Sequence, residues 1–430
     1  MILSDYLPND PKTARTLSMV NVSGYKYPSY SGYFRVNNEY NSNMFFWYFQ
    51  AETNYQDAPV VVWLQGGPGA SSMFGLFGEN GPFSVDSDGK TLLPSQYRWT
   101  QYFNMIYLDN PVGVGFSFTE STSGFVNNED QVGANIVSVF QQFFQVFDDI
   151  KGNDFYIAGE SYGGKYTPAA AYAIHMANQA SPYKINLKGV SIGDGLVDPG
   201  IQMNGYADLA LQLDLCDQYE YLVIKDYETR VQAAIKEGRA RDGFMIFDEF
   251  LNGDFYPYHT YFYNITGDAN YFNLNDPNYP PNPYPDYLSL QSTKDMLHTG
   301  TYPFYDYNST VEYHLIEDWM YSVKPHVEFL LNEGYKVLVY NGQFDIILAG
   351  PRARVLCDYL VWDGQQGYQQ SKKVIWKVEP TDTTPAGYVH NYQNLWRAIV
   401  RAAGHMVPAD QPRAALDMML RFYNNIPFNK

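Results

Sequence analysis

The segment FYIAGESYGGKYTP (155–168) places a serine where it can act as a nucleophile. Its first four residues predict a buried strand, and the residues from Lys165 onward predict a helix. Between them, Gly-Glu-Ser-Tyr-Gly fits G-x-S-x-G, the sharp strand-to-helix turn that exposes a serine hydroxyl. The flanking glycines suit this turn because the two backbones pass too closely for a Cβ. Ser161 is therefore the predicted nucleophile, and the acid Glu160 directly precedes it.

A serine hydroxyl needs a base to take its proton, and the base needs an orienting acid. In this class of turn the partners follow in the order serine, acid, histidine. VLVYNGQFDIILAG places Asp345 just after a predicted strand, and RAAGHMVPADQP places His405 before a helix that Asp410 can cap. We therefore predict Asp345 as the acid and His405 as the base. The other six histidines lack comparable contexts.

The tetrahedral intermediate of such a reaction needs amide donors aimed at its oxyanion. One predicted donor is the N–H of Tyr162, directly after the serine. The other is Gly67, in the glycine loop of VVVWLQGGPGASS (60–72), although that loop could also be a simple tight turn. The chain has no H-E-x-x-H, C-x-x-C or Walker loop, so no metal and no cofactor are predicted.

Composition limits the partners and the compartment. The formal net charge of −18 and the pI near 4.7 argue against binding nucleic acid or an anionic membrane. No apolar run approaches the 18 residues of a membrane span, and the N-terminus lacks the features of a signal peptide. Three sequons, at Asn21, Asn264 and Asn308, are candidate glycosylation sites and favour a secretory history. Two cysteines, Cys216 and Cys357, make no disulfide framework, so free thiols are favoured over one bridge.

Strands alternate with helices along most of the chain, which predicts an α/β fold with a mostly parallel sheet covered on both faces. Residues 200–318 interrupt this alternation with a segment rich in Tyr, Asn and Pro, which we interpret as an inserted cap over a cleft. The predicted organisation is a core in two parts, 1–199 and 319–430, with the cap between them. The predicted strands are Tyr33–Val36, Met44–Gln50, Val60–Leu64, Asn104–Leu108, Phe155–Ala158, Gly189–Ile192, Lys336–Tyr340, Val374–Val378 and Trp396–Val400.

Six segments in order resemble the signatures of the serine carboxypeptidase family: WLQGGPGASSMFGLFGENGP, DNPVGVGFSF, GESYGGKYTP, GDGLVDP, YNGQFDII and GHMVPADQP. The resemblance runs from about residue 30 to the C-terminus and is strongest to the vitellogenic-carboxypeptidase-like branch. It implies an α/β-hydrolase core with an inserted cap that acts on peptide C-termini at acid pH.

The resemblance also implies a role for Glu160, because the acid before the serine in this family binds the terminal carboxylate of the substrate. It implies that Glu160 shares a proton with Glu79, since burial and a like charge both raise a carboxyl pKa. Gln65 and Gly66 complete the implied carboxylate site, with Gln65 replacing the usual asparagine. Met406 is implied to line the pocket of the leaving residue. Ala70 stands where many relatives carry a cysteine.

The function predicted from sequence is thus a serine carboxypeptidase that works through an acyl-enzyme on Ser161 and prefers acid pH. Its expected partners are peptide or protein C-termini, with a homodimer left open. The expected location is the secretory pathway, either secreted or lysosomal/vacuolar. Two alternatives remain at this point: an acyltransferase on the same scaffold, and a binding or storage protein that has lost turnover.

Overall fold

The structure is a computed structural model that describes residues 1–275 and 282–429. Its strands within these residues are β1 (Met19–Val20), β2 (Ser29–Asn37), β3 (Ser42–Phe49), β4 (Val60–Leu64), β5 (Phe83–Val85), β6 (Leu92–Pro94), β7 (Asn104–Leu108), β8 (Phe155–Glu160), β9 (Leu187–Gly193), β10 (Lys336–Gly342), β11 (Val374–Trp376), β12 (Gly387–Tyr392) and β13 (Leu395–Val400).

All of these strands except β5 and β6, which pair with each other, form one sheet in the order β1-β2-β3-β7-β4-β8-β9-β10-β13-β12-β11. The central strands β7, β4, β8, β9, β10 and β13 run parallel. Antiparallel strands extend both edges. The predicted α/β fold is confirmed, with its parallel part confined to the centre. The carboxyl ends of parallel strands meet at one edge of the sheet, which is where ligands bind in such folds.

The helices of the described residues follow in chain order: α1 (Pro11–Leu17), α2 (Glu129–Val146), α3 (Gly163–Ala180), α4 (Pro199–Gln202), α5 (Tyr206–Gln212), α6 (Gln218–Lys236), α7 (Ala240–Phe247), α8 (Tyr261–Thr266), α9 (Tyr284–Ser289), α10 (Gln291–Met296), α11 (Ser309–Leu315), α12 (Lys324–Asn332), α13 (Gly350–Tyr359), α14 (Gln365–Gln370), α15 (Val407–Asp410) and α16 (Pro412–Asn424).

Strand β4 shows how the sheet is buried on both faces. Val60 and Val62 belong to the core that includes the apolar stripes of α2 and α3. Val61 and Trp63 point the other way, into a second core that includes the apolar face of α16. Because side chains alternate along a strand, a continuous apolar run such as Val60–Leu64 fills both cores at once. The site at the end of β4 is therefore supported by a sheet that is packed on both faces.

Between β9 and β10 the described residues form only helices and loops, α4 to α12, and contribute no strand to either sheet. The segment interpreted as a cap, 200–318, lies within this stretch, and its residues 276–281 lie outside the described residues. Several cap residues line the cavity at Ser161. The division into a core and a cap remains our interpretation of this arrangement.

Four strands of the described residues, β1, β5, β6 and β12, were not predicted from the sequence, and β12 is the longest of them. This strand pairs with β13 across a tight turn in which Gln393 has φ +48°. Its side chains alternate between buried and half-exposed, and its last residues, Asn391 and Tyr392, are exposed. A strand on the antiparallel edge needs only one apolar face, so it lacked the continuous apolar run that identified the central strands.

Candidate active site

Ser161 lies at the turn between β8 and α3, as predicted. Its φ of +60° falls in the left-handed region that residues with a Cβ rarely adopt. Backbone hydrogen bonds hold this conformation: the Ser161 N–H donates to the Gly193 carbonyl at 3.0 Å, and its carbonyl accepts from the N–H groups of Gly164 and Leu196 at 2.9 and 3.0 Å. The neighbouring strand therefore fixes the strained turn that presents the hydroxyl to the cavity.

His405 and Asp345 form the predicted base–acid pair. His405 Nδ1 lies 2.9 Å from Asp345 Oδ2, and both side chains are buried. The other carboxylate oxygen of Asp345 accepts the N–H of Leu348 at 3.2 Å. A carboxylate can only accept, so Nδ1 carries the proton and Nε2 presents a lone pair. Nε2 is buried with no hydrogen-bond partner among the described residues, and His405 and Ser161 line the same cavity.

The glycine loop after β4 packs directly against the serine turn. A Cβ placed on Gly66 would lie 2.5 Å from the backbone nitrogen of Tyr162 and 2.6 Å from the Glu160 carbonyl oxygen. Real Cβ contacts are never that short, so only glycine permits this approach. Gly67 follows with φ +104°, which again requires glycine. The structure therefore brings together the two backbone segments that were predicted to supply the amide donors.

Segments from the predicted cap hold two of these loops in place. Asn308 donates its backbone N–H to the Gly69 carbonyl at 3.0 Å. His405 donates its own backbone N–H to the Phe272 carbonyl at 2.7 Å, and the Phe272 ring centre lies 5.1 Å from the imidazole. The positions of the glycine loop and of the histidine thus depend on residues between β9 and β10.

Asp410 does not cap a helix, contrary to the sequence expectation. Its carboxylate accepts the N–H of Gly404 at 2.6 Å and the side-chain amide of Asn273 at 2.9 Å. Helix α16 begins after Gln411 without a side-chain cap. Asp410 therefore stabilises the loop that carries His405, and it also lines the active-site cavity.

Gln65 and Glu160 lie beside Ser161 and bond to each other. Gln65 Nε2 donates to Glu160 Oε1 at 2.9 Å, and the indole Nε1 of Trp63 donates to Gln65 Oε1 at 2.8 Å. The Trp63 contact fixes which end of the amide faces Glu160. Gln65, Gly66 and Glu160 all line the cavity, so this bonded pair of side chains is within reach of a ligand.

Glu79 completes a pair of facing carboxyls with Glu160. Both carboxyl groups are shielded from solvent, and the carboxyl of Glu79 lies beside both Glu160 and the side-chain amide of Gln65. Burial raises the pKa of Glu79 to about 7. Burial, and then the neighbouring Glu79 charge, raise the pKa of Glu160 well above its usual range. Two carboxyls in contact are stable when they share a proton, so the pair titrates as one unit.

Asp194 is a residue near the catalytic pair that the sequence analysis did not single out. It follows β9, adopts φ +41° and is fully buried. Its Oδ1 accepts the Gly342 N–H at 2.8 Å, while Oδ2 has no donor among the described residues. One oxygen each from Asp194 and Asp345 and one nitrogen of His405 lie within 4.8 Å of one another.

Burial, and then the nearby Asp345 carboxylate, raise the pKa of Asp194 well above its usual range. A protonated Asp194 can donate to Asp345, whereas an ionised one would repel it. The sequence shows an acid after each of the strands β9 and β10, but only the structure shows that these strands are neighbours and that the two acids meet. This trio could offer ligands to a metal, although His405 Nδ1 and Asp345 are already bonded to each other and Asp194 Oδ1 already accepts the Gly342 N–H.

The cavity that contains these residues has a volume of about 940 Å³. Ser161, Glu160 and Gln65 lie on its core side, with His405 and Met406 beside them. Residues between β9 and β10 contribute a further part of the lining, which consists of Asn252, Asp254, Tyr271, Phe272, Asn282, Asp306, Tyr307 and Trp319. Met406 therefore lines the same cavity as Ser161.

The sequons and the cysteines have different environments. Asn21 and Asn264 are exposed, as a glycan requires. Asn308 is half-buried; its side-chain nitrogen donates to the Gly113 carbonyl at 2.8 Å and its oxygen caps α11. This structural role disfavours a glycan at Asn308. Cys216 and Cys357 are both buried and free, as the sequence analysis favoured.

Comparison with known proteins identifies the class. The family model for serine carboxypeptidases matches residues 21–425. The chain therefore belongs to the serine carboxypeptidase family and is a serine-type carboxypeptidase, a hydrolase, which confirms the prediction of family and enzyme class. The fold is similar to the crystal structure of a prohormone-processing carboxypeptidase from Saccharomyces cerevisiae, with a TM-score of 0.79 and 24% identity over 93% of this chain and 91% of that one. This likeness confirms the α/β-hydrolase fold.

Individual relatives agree with the predicted branch. The chain is 43% identical to the probable serine carboxypeptidase CPVL of Homo sapiens over 95% of this chain and 86% of that protein. It is 42% identical to a venom serine carboxypeptidase of Apis mellifera (93% and 85% covered). It is 41% identical to a vitellogenic carboxypeptidase of Aedes aegypti (92% and 83% covered). Among the described residues we find no helix with the length and apolar character needed to cross a bilayer.

Proposed function

We propose that this enzyme removes C-terminal residues from peptides through an acyl-enzyme on Ser161. His405 Nε2 takes the proton of the Ser161 hydroxyl as its oxygen attacks the scissile carbonyl carbon. The Gly67 and Tyr162 amides stabilise the resulting oxyanion. His405 then gives that proton to the leaving amine as the C–N bond breaks. Water then attacks the acyl-enzyme: His405 takes a proton from the water and gives it to the Ser161 oxygen as the ester bond breaks. This step frees the acid product and restores Ser161.

Asp345 and Asp194 act through the histidine rather than on the substrate. Asp345 accepts the Nδ1 proton of His405, and this fixes the tautomer and stabilises the imidazolium that forms during attack. We propose that Asp194 keeps its own proton and donates it to Asp345, so that the Asp345 carboxylate stays oriented towards His405. The N–H of Gly342 holds the other Asp194 oxygen and sets this direction.

The Glu79–Glu160 pair and Gln65 form the receptor for the substrate's terminal carboxylate, and this contact limits the enzyme to exopeptidase action. A substrate carboxylate can approach Glu160 only when Glu160 donates a proton. The observation that carries this proposal is the buried carboxyl pair beside Ser161, in which burial holds the pKa of Glu79 at about 7. As pH rises through that range the pair becomes charged and repels the substrate, so binding is strongest in acid.

We further propose that Met406 lines the pocket of the leaving residue and that the enzyme works in the secretory pathway, either secreted or lysosomal. Support for the location comes from the two exposed sequons, Asn21 and Asn264, and from the venom carboxypeptidase among the relatives. An acidic compartment would also keep the buried carboxyl groups protonated.

The test measures release of the C-terminal residue from an N-blocked dipeptide between pH 4 and 8, beside the same peptide with a C-terminal amide. Ser161→Ala is the control for catalysis and should lower kcat by about 10⁴-fold or more. We expect KM for the free acid to rise with pH and KM for the amide to stay nearly constant. A KM for the free acid that does not change with pH would contradict the carboxylate receptor.

The same experiment separates hydrolysis from acyl transfer. Mass spectrometry of the products in the presence of a competing amine or alcohol shows where the acyl group goes. Transfer that exceeds hydrolysis at low acceptor concentration would make the protein an acyltransferase. Absence of turnover, together with no labelling of Ser161 by a serine-directed phosphonate, would instead indicate a binding or storage protein.

A further inference from the structure

A second cavity, of about 380 Å³, lies on the face of the β12–β13 hairpin and shares no lining residue with the active-site cavity. Its lining is markedly basic in a chain whose formal net charge is −18. The charged and titratable residues that line it are Arg354, Lys373, His390 and Arg397. An adjoining cavity of about 550 Å³ shares Arg354 and Arg397.

Strand register explains how the basic groups come together. His390 in β12 lies directly opposite Arg397 in β13, and Tyr388 lies opposite Ile399. Because side chains alternate along a strand, these four residues share one face of the hairpin. Arg354 from α13 and Lys373, just before β11, close the cavity around them. A protonated His390 would place two positive charges directly opposite each other, which destabilises a sheet unless something compensates for them.

Arg397 is the most buried of these cations. Its Nη2 donates to the Gly350 carbonyl at 2.9 Å, and its Nε is buried with no hydrogen-bond partner in the described part of the chain. Burial lowers the pKa of Arg397, and the positive charge of Arg354 acts in the same direction. A guanidinium nevertheless stays protonated, so it needs an anion rather than loss of its proton.

The surrounding residues supply little negative charge. The carboxylate of Asp358 lines the adjoining cavity and lies 3.6 Å from Arg354, whose side chain is 68% exposed. Cys357 and Tyr368 also lie near Arg397, and burial raises the pKa of both, so both remain neutral. One half-exposed carboxylate therefore faces three cationic side chains and a histidine.

We propose that this cavity is a binding site for a phosphate or sulfate group, either as the free ion or as a monoester on a small molecule. Arg354 can offer two parallel N–H donors, which match the oxygens of such a group, and Arg397 adds a second guanidinium charge at the cavity. Lys373 adds a point charge from the rim. Tyr388 and Ile399 offer apolar surface in a cavity larger than the inorganic ion, which leaves space for the carrier of an ester.

Binding is coupled to protonation of His390. Burial lowers the pKa of His390, with Arg397, Arg354 and Lys373 acting in the same direction and Asp358 opposing them. A bound anion adds negative charge and favours the imidazolium. Binding should therefore strengthen as pH falls. This site does not depend on the proposed catalytic mechanism, so Ser161→Ala should bind the anion as the wild type does.

Isothermal titration calorimetry of the full chain tests the site with inorganic phosphate, sodium sulfate and glycerol 3-phosphate, at ionic strength kept constant with sodium chloride. We expect one anion per chain with a Kd of about 1 mM or tighter. The double variant Arg354→Gln/Lys373→Gln should weaken binding by about tenfold or more. Lys372→Gln is the matched control, because Lys372 is an exposed neighbour outside the cavity lining, and it should bind within about twofold of wild type.

The pH dependence of binding is measured with sulfate, because the charge of sulfate is constant between pH 5 and 7.5. Sulfate should bind more tightly at pH 5, and His390→Gln should remove most of that difference. Tighter binding of glycerol 3-phosphate than of phosphate supports an ester ligand, and the reverse supports the free ion. Absence of binding by all three probes, or equal weakening by Lys372→Gln and the double variant, would overturn the proposal.

Discussion

The active-site cavity and the basic cavity on the β12–β13 hairpin each place a buried ionisable group beside others of the same charge sign, but the two kinds of group can be neutralised in different ways. In the active site, Glu79 faces Glu160, and Asp194 lies near Asp345. In the basic cavity, Arg397 lies among other cations. A buried carboxyl can become neutral by keeping its proton at the cost of a raised pKa.

A buried guanidinium cannot become neutral in a comparable way, because it does not lose its proton under any ordinary condition. Buried acids are therefore controlled by pH, whereas a buried arginine must be controlled by a bound anion. By our two proposals, the same chain contains one site that responds to protons and one that responds to an oxyanion. This difference between the two sites can be tested with variants of each.

Replacing Asp194 tests whether its proton supports catalysis. Asp194→Gly removes the side chain without straining the left-handed backbone, and should lower kcat by about ten- to a hundredfold with little change in KM. Asp194→Asn keeps a donor towards Asp345 and an acceptor for Gly342, and tolerates the same φ. It should therefore retain kcat within about threefold. Equal losses of kcat in both variants, measured by steady-state kinetics, would exclude the proposed hydrogen bond.

Glu160→Gln tests whether the carboxyl pair causes the pH dependence of substrate binding. Wild-type KM for a free-acid peptide should rise roughly tenfold per pH unit once the pair loses its shared proton. The glutamine keeps a donor and cannot ionise, so KM should change much less between pH 5 and 8. The C-terminally amidated peptide is the matched control. A wild-type rise in KM that persists in Glu160→Gln would assign it to another group.

The whole protein should also be more stable towards thermal unfolding in acid than near neutral pH. The folded-state pKa is about 7 for Glu79 and about 9 for Glu312, another mostly buried carboxyl, and both exceed the unfolded value. The proton on such a group stabilises the fold fully below the unfolded pKa, and this contribution is lost as pH rises towards the folded pKa. We expect Tm at pH 5 to exceed Tm at pH 7.5 by about 5 °C. Calorimetric scans that show a higher Tm at pH 7.5 would contradict this.

Arg397→Met tests the basic cavity in the absence of any added anion. The substitution removes a buried charge that lacks a carboxylate partner and keeps most of the side-chain volume. In buffer free of phosphate and sulfate we expect Tm to increase by about 2 °C, and added phosphate should no longer raise it. A lower Tm without anion, with phosphate still stabilising the variant, would show that Arg397 is structurally satisfied by the protein alone.

The central sheet and the catalytic residues were the parts most accessible from sequence. Continuous apolar runs such as Val60–Leu64 identify strands that are buried on both faces, and glycine, serine and histidine motifs at their ends report local backbone geometry. Local rules therefore sufficed for Ser161, Asp345 and His405 as candidates. The structure then brings all three to one edge of the sheet.

Features that depend on distant contacts were not predictable in this way. The role of Asp410 follows from Gly404 and Asn273, and Asn273 is more than a hundred residues away in the chain. Asp194 becomes notable only because β9 and β10 are neighbours, which a linear reading does not reveal. The basic cavity likewise depends on the register of β12, a strand that the sequence analysis missed.

The contact between the glycine loop and the serine turn has a consequence for engineering. A Cβ at Gly66 would clash with the Tyr162 backbone, and one at Gly163 would lie 2.5 Å from the Leu64 carbonyl oxygen. Libraries that randomise the core side of the cleft should therefore yield few folded members. Substitutions that alter substrate preference should be tolerated mainly in the wall formed by residues between β9 and β10, where residues such as Asp254 and Tyr307 line the cavity from loops. Directed evolution of this enzyme should begin at that wall.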